Sequence, residues 1–499
     1  MKRLNASALV LLLGTCLAAA GCTTVGPNYT PPAEPSAKAG YAGDGGVRAA
    51  LAEGPGAGWW KAFGSEQLDG FVARALAGNH SLAASRATLE EARQRIAAVA
   101  GKRLPQVDAQ ARAEYQRVNL AAFGFDGFGG ANISNPEFDL YTVGGGVSYD
   151  LDLFGKNRRA LEQARAQAQA QMRATQAAHL VIAGRVVAQV LAIAALNDRI
   201  ATERKLLSED ERNVSLTQSR RKAGAGTLVE VLSAQGQLAS DKASLPAMEQ
   251  QLAEGRTMLA VLLGISPAEL EPTGFGLDDF ILPASVPVAL PSALVHKRPD
   301  ILEAEARLHA ATAAVGVATA QLYPDITLGG SVTQATSDPD RITSSKFNAF
   351  DIFAGLTAPI FHGGTLKANK RGAEAEARAA AAEYQQVVTE AFGQVSGLLS
   401  SLESDSRELA ARHETAEISD RSLYLSRRSF QVGNSGILQV LDASRSYQRA
   451  RLALLETRTR QYQNVARLYV ATAGGWIPEP PQNAPVQQAG TDTPGPKRP

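Results

Sequence analysis

The chain repeats itself, and that repeat limits its possible folds more than any other feature. "RKAGAGTLVEVLSAQGQL" from Arg221 returns as "FQVGNSGILQVLDASRSY" from Phe430. An offset of 209 residues carries Gly224 onto Gly433, Val231 onto Val440, Leu232 onto Leu441 and Ala234 onto Ala443. Before the glycine turn, Val186, Ile193, Ile200, Leu207 and Val214 recur every seven residues, and the same offset gives Val395, Leu402, Leu409, Ala416 and Leu423. After it, Val231, Leu238, Leu245, Leu252 and Leu259 map onto Val440, Tyr447, Leu454, Gln461 and Leu468. Gln461 is the one polar intruder. A sustained seven-residue stripe keeps helices in contact along their length, as in a coiled coil. The unit is far longer than a solenoid repeat, so the chain is two large halves and not an array.

The duplication continues upstream, where Asn79 to Asp108 resembles Arg298 to Thr327. Each half then reads helix, strand, loop, strand, long helix, glycine turn, helix. The expected strands are Gln106 to Val118, Tyr141 to Leu151, Asp325 to Ala335 and Asp351 to Ile360. All are near the ~9–11 residues a tilted strand needs to cross a bilayer. The helix expected over Asn157 to Arg221 would run roughly 100 Å at ~1.5 Å per residue. Pro246 is expected to kink the helix over Leu228 to Leu263.

Composition narrows the class. The 50 Lys+Arg and 49 Asp+Glu nearly cancel, so no basic excess points to nucleic acid. The opening "MKRLNASALVLLLGTCLAAAGC" has Lys2 and Arg3, a short apolar run and then small residues, the pattern of an export signal rather than a span. "LAAAGC" looks like a lipobox ending at Cys22, with Ala19 where leucine is usual; the alternative is an ordinary secretory signal with an incidental cysteine. A lipidated Cys22 leaves no disulfide partner, so the fold is expected to stand without disulfides. The six histidines have no metal-ligand spacing. No metal, cofactor or catalytic constellation is expected.

Two hairpins per chain cannot close in lipid, because open sheet edges expose unpaired amides and the smallest barrels have about eight strands. Several chains must pool strands, and two, three or four copies all remain possible on spacing alone. Long helices with a narrow apolar stripe need neighbours as well.

At this point the residues resemble a known family. "CTTVGPNYTPP" from Cys22, "GWWKAFGSEQLDGFVARALAGNHSL" from Gly58, "LDLFGKNR" from Leu151, "RPDILEAEARL" from Arg298, "YPDITLGG" from Tyr323, "APIFHGG" from Ala358 and "VLDAS" from Val440 occur in the order seen in TolC-like outer membrane efflux proteins. The likeness is to the lipoprotein branch that serves resistance-nodulation-division pumps. It implies a mainly α protein with a small β part. It also implies a homotrimer with a twelve-stranded transmembrane barrel, four strands per chain, continued by a periplasmic helical barrel. The implied role is an exit duct for small molecules, fed by an inner-membrane transporter of that type through a periplasmic adaptor. The chain divides into a signal peptide (1–21), a lipidated extended segment held to outer-membrane lipid through Cys22 (22–57), a first repeat (58–285), a second repeat (286–476) and a disordered tail (477–499).

In that family the glycine turns close the periplasmic end. Leu438, Asp442 and Arg445 stand at i, i+4 and i+7, on one helix face. Repeated around a threefold axis they would form rings of leucine, carboxylate and guanidinium, the first narrowing and dewetting the pore and the charged rings selecting and holding. The resemblance matches Leu438 and Asp442 to constricting rings, and Arg445 to a residue tying neighbouring helices. The first half has Val229, Ser233 and Gly236 there, so the second copy alone is expected to serve as the gate. A surface ion pair between Asp442 and Arg445 is the plainer alternative. Gly224, Gly226, Gly433 and Gly436 are expected to give the turns backbone freedom and to contact the adaptor, or simply to end helices. Trp59 and Trp60 could anchor at a membrane interface or pack against the helices. A periplasmic adaptor lipoprotein is the competing function; its single hairpin fits the direct repeat poorly.

Overall fold

The computed structural model describes residues 24–33, 49–52, 54–119, 136–289 and 291–472. The signal peptide, Cys22, the loop 120–135 and the tail lie outside the described residues. In chain order the elements are β1 (Ala49–Ala52), α1 (Glu66–Gly78), α2 (His80–Gly101), β2 (Gln106–Arg117), β3 (Glu137–Asp150), α3 (Lys156–Lys222) and α4 (Leu228–Leu263). Then follow β4 (Val286–Ala289), α5 (Pro291–Lys297), α6 (Pro299–Ala320), β5 (Asp325–Thr336), β6 (Asn348–Thr357), α7 (Thr365–Gln431) and α8 (Ile437–Ala471). The duplication is reproduced in length: α3 and α7 are both 67 residues long, and α2 and α6 both 22. Pro246 sits inside α4 without interrupting it.

Two compact units share the chain. The first holds the N-terminal segment, Gly78–Ala178 and Pro291–Ser396. Its sheet is antiparallel, ordered β2-β3-β5-β6. Pairing runs from Gln106↔Ser148 to Arg117↔Glu137, so β3 starts four residues before the expected Tyr141. β6 is shifted from expectation, beginning at Asn348 opposite Gln334 and ending at Thr357 opposite Asp325. Pro359, with no N–H to donate, lies just beyond that end. Small residues let the helices of this unit approach closely. Gly316 of α6 faces Arg159 of α3 so tightly that a Cβ would fall 2.8 Å from the arginine side chain.

The second unit holds Ala42–Ala77, His179–Leu290 and the chain from Gly397 onward. Its core is where the seven-residue stripe is buried: Val186, Ile193, Leu402, Leu259 and Leu468 are all fully enclosed. Gln461 is enclosed too, its Nε2 donating to Ser406 Oγ at 3.4 Å. Along α4 the middle of the stripe, Leu238, Leu245 and Leu252, is only half-buried in the single chain. An aromatic cluster closes another part of the core. Trp59 stacks on Tyr469 with ring centroids 5.2 Å apart, and Phe63 lies edge-on to both. Trp59 is therefore a packing residue, not an interfacial anchor. In the first unit, Asn79 caps α2, its Oδ1 accepting from Ser81 N and Leu82 N at 3.0 and 3.2 Å, which satisfies two of the free amides at a helix start.

Candidate functional site

The sheet has two chemically distinct faces. Register places Val107 beside Val147, Val147 beside Gly330, and Gly330 beside Ile352. Because side chains alternate with a period of two, that face also carries Ala109, Ala111, Val143, Val332, Phe350 and Leu356. It is apolar across all four strands, and Ile352 and Phe350 are 85% and 79% exposed. The opposite face carries Asp108, Gln110, Arg112, Glu114, Thr333, Ser331 and Asp351. Gly144 has room for nothing larger, since a Cβ there would meet Val332 O at 2.6 Å. The outer edges of β2 and β6 have no strand partner among the described residues.

The motif "LDLFGKNR" builds the junction from strand to helix. Asp152 adopts a left-handed backbone with φ 47° and aims its carboxylate at the start of α3, accepting from Asn157 N at 2.8 Å and Arg158 N at 2.9 Å. A carboxylate there satisfies free amides and complements the helix dipole. Lys156 bridges Asp150 at 3.5 Å and also pairs with Asp325 of the second repeat.

The motif after Cys22 is also placed. Arg159, 4% exposed, donates through Nε to Val25 O and through its terminal nitrogens to Gly26 O, Asn28 Oδ1 and Glu162 Oε2. Gly26 has φ 89°, and a Cβ there would come within 2.5 Å of Gly316 Cα, so glycine is required on both counts. Tyr29 stacks on His309 at 4.2 Å and donates to Glu305 Oε1 at 3.2 Å.

The helix tips of the second unit contain the predicted gate residues. Both turns end with the backbone bonds of a left-handed glycine stop. Gly224 has φ 74°, with Ala225 N on Arg220 O at 2.8 Å; Gly433 has φ 81°, with Asn434 N on Ser429 O at 2.9 Å. Gly226 and Gly436 lie outside the left-handed region, and Gly436 is the N-cap of α8 with φ −81°. Only two of the four glycines are therefore explained by backbone freedom. Thr227 caps α4 in a reciprocal box with Glu230, whereas Gly436 offers α8 no side-chain cap. Between the tips, Ala234, Leu423, Phe430, Ile437, Val440, Leu441 and Ala443 form one apolar cluster. Arg220 lies over the Phe430 ring, 4.7 Å from its centroid.

Leu438, Asp442 and Arg445 are all exposed on one side of α8, away from that cluster. Arg445 does not pair with Asp442 among the described residues; its Nε donates to Gln237 Oε1 of α4. Gln237, 6% exposed, in turn donates through Nε2 to Asp241 Oδ2 at 2.7 Å. The first half is therefore not a bystander, because it supplies the partner of the predicted gate arginine. The sequence reading missed Gln237. Its signal was a polar i, i+4 pair, Gln237 and Asp241, turned inward on a helix whose surface it had no need to leave.

Comparison with known proteins agrees with this geometry. The outer membrane efflux protein family matches residues 71–265 and 290–474. The chain is 30% identical over 419 residues to the pyoverdine export outer membrane protein OpmQ of Pseudomonas aeruginosa, covering 84% of this chain and 87% of that one. It is 26% identical over 468 residues to the probable outer membrane lipoprotein SilC of Salmonella typhimurium, covering 94% and 99%. Its fold superposes on the outer-membrane channel OprN with a TM-score of 0.81 at 29% identity, covering 91% of this chain and all of that one. With its half-built sheet and paired long helices, the chain belongs to the outer membrane efflux protein family and is an outer-membrane efflux channel that reaches into the periplasm.

Proposed function

We propose that three copies close a twelve-stranded barrel and a helical tube that together serve as the exit duct of a tripartite pump. The observation carrying this is the four-stranded sheet, whose two edges have no strand partner among the described residues, with one continuous apolar face. An open edge in lipid leaves amides unsatisfied at several kcal/mol each, so β2 of one copy must find β6 of the next. The half-buried stripe of α4 asks for a neighbour in the same way. The duct receives cargo from a resistance-nodulation-division transporter through a periplasmic adaptor, which meets the turns at Gly224, Gly226, Gly433 and Gly436. Leu438, Asp442 and Arg445 form the periplasmic gate. Cys22 carries the lipid, and the segment clasped by Arg159 leads from it along the protein.

Cysteines at Arg112 of β2 and, one at a time, at Ala349, Asp351 and Phe353 of β6 test the closure. The expected result is an oxidised ladder ending at three chains. A ladder ending at two or four overturns the number, and disulfides within single chains overturn the arrangement. For the gate, the Asp442→Ala and Arg445→Ala double variant in planar bilayers is expected to conduct more than the resting wild type; equal conductance removes both residues from the gate.

A further inference from the structure

The second half carries a cavity where the first carries an ion pair. In the first half, Arg204 of α3 meets Glu249 of α4 at 2.8 Å. The 209-residue offset turns Arg204 into His413 of α7 and Glu249 into Arg458 of α8, so a base and an acid become two bases. The same offset turns Lys242 into Arg451 and Leu252 into Gln461, the polar intruder of the heptad stripe. His413, Arg451, Arg458 and Gln461 all line one cavity of about 400 Å³ in the second unit. Its other walls are apolar: Leu282, Leu409, Leu454, Leu455 and Tyr462. No carboxylate is among the described residues that line it. Apolar walls with a few convergent polar groups, at a volume within the ~300–1,000 Å³ of small-molecule sites, are the marks of a ligand pocket.

The bases have donors to give. Arg451 is exposed, and its guanidinium has no partner among the described residues. His413 meets Glu417, one turn along α7, at 3.5 Å through Nδ1. Arg458 gives Nη1 to Asp278 at 2.6 Å and lies 5.8 Å from the Tyr462 ring centroid, which leaves part of its five-donor fork for a ligand. Asp278 itself is 88% exposed and does not line the cavity. Gln461 is fully enclosed at the deep end. Its Nε2 donates to Ser406 Oγ at 3.4 Å, while its Oε1 accepts from nothing among the described residues. A buried acceptor without a donor is destabilising, and the leucine of the first half would carry no such cost.

We propose that this cavity binds a small amphipathic anion: an organic carboxylate whose apolar body carries a hydroxyl or N–H. The carboxylate lies against Arg451, Arg458 and His413, where the planar arginine fork matches its two oxygens. The body lies along the leucines and Tyr462, and its donor reaches Gln461 Oε1. The ligand supplies to α7 and α8 the negative charge that Glu249 supplies to α3 and α4. None of the gate residues lines the cavity, so the site stands apart from the gate reading.

The test is calorimetric titration of the full-length assembly in neutral detergent, with hydroxynaphthoate as the probe and detergent alone as the blank. Saturable binding of one probe per chain is expected. Naphthol, which lacks the carboxylate, and the Arg451→Ala variant should each bind about tenfold more weakly, the loss of one charge-assisted hydrogen bond. Naphthoate, which lacks the hydroxyl, should bind several-fold more weakly, and Gln461→Leu should erase its difference from hydroxynaphthoate. Arg458→Glu restores the acid of the first half and should abolish binding, while Arg204→Ala in the first half should leave it unchanged. No saturable binding by the wild type, equal affinity for naphthol and hydroxynaphthoate, or full binding by Arg458→Glu each overturns the site. If Arg458→Glu fails to assemble, the exposed Arg451→Ala decides in its place, and unaltered binding there overturns the site.

Discussion

The two glycine turns descend from one ancestor segment and now differ in how they are held. The turn into α4 is capped by Thr227 and Glu230, and its helix carries Gln237 and Asp241 inward. The turn into α8 starts on an uncapped glycine, and its helix carries Leu438 and Asp442 outward. One copy is built to hold and the other to be held. Equivalent positions also differ in burial: Ile437 is fully enclosed, while its counterpart Leu228 is 49% exposed. Duplication gave the frame twice, and divergence then divided the work.

Four measurements would break or sharpen that contrast. The largest difference is expected in conductance. The Asp442→Ala and Arg445→Ala double variant should open the channel, while Ser233→Ala, at the matching place in the first half, should leave bilayer currents unaltered. Next is stability: Ile437→Ala should cost about 2–5 kcal/mol in chemical unfolding and Leu228→Ala less than about 1. Equal costs would mean the tips are packed alike. Thr227→Ala should cost about 1 kcal/mol, whereas Gly436→Ser should gain a few tenths of a kcal/mol by adding a missing cap; a Cβ at Gly436 meets nothing nearer than Glu230 Oε1 at 3.8 Å. The smallest effect is a slope against pH. Burial in the fold raises the Asp210 carboxyl, so its contribution is complete below its unfolded value and fades as pH rises through about 7. Melting curves of the wild type should shift down across that range, and those of Asp210→Asn should not.

Much of this architecture was legible in the residues. The heptad stripe announced four long helices and the 209-residue echo announced two halves, because burial in a helix seam enforces a strict period. The four strands of the antiparallel sheet were legible, less so in extent, and the short parallel pair β1 and β4 was not read at all; β6 was placed three residues late because its start is set by pairing with Gln334, a partner in space that local pattern does not record. Trp59 gave no hint of its surroundings, since an aromatic pair reads the same beside lipid as beside Tyr469. The inward line from Arg445 through Gln237 to Asp241 was hidden for a related reason. Its members lie on two helices, and Arg445 and Gln237 are 208 positions apart in the sequence.

The unfinished sheet has a consequence for the life of the chain before it reaches its destination. A newly exported copy must cross an aqueous compartment with Phe350, Ile352 and Val107 uncovered and two ribbon margins ready to zip onto any passing strand. Supply must therefore match the rate at which siblings meet at the membrane. A surplus of solitary copies is a hazard in transit, which makes escort and disposal part of the cost of constructing a wall from identical staves.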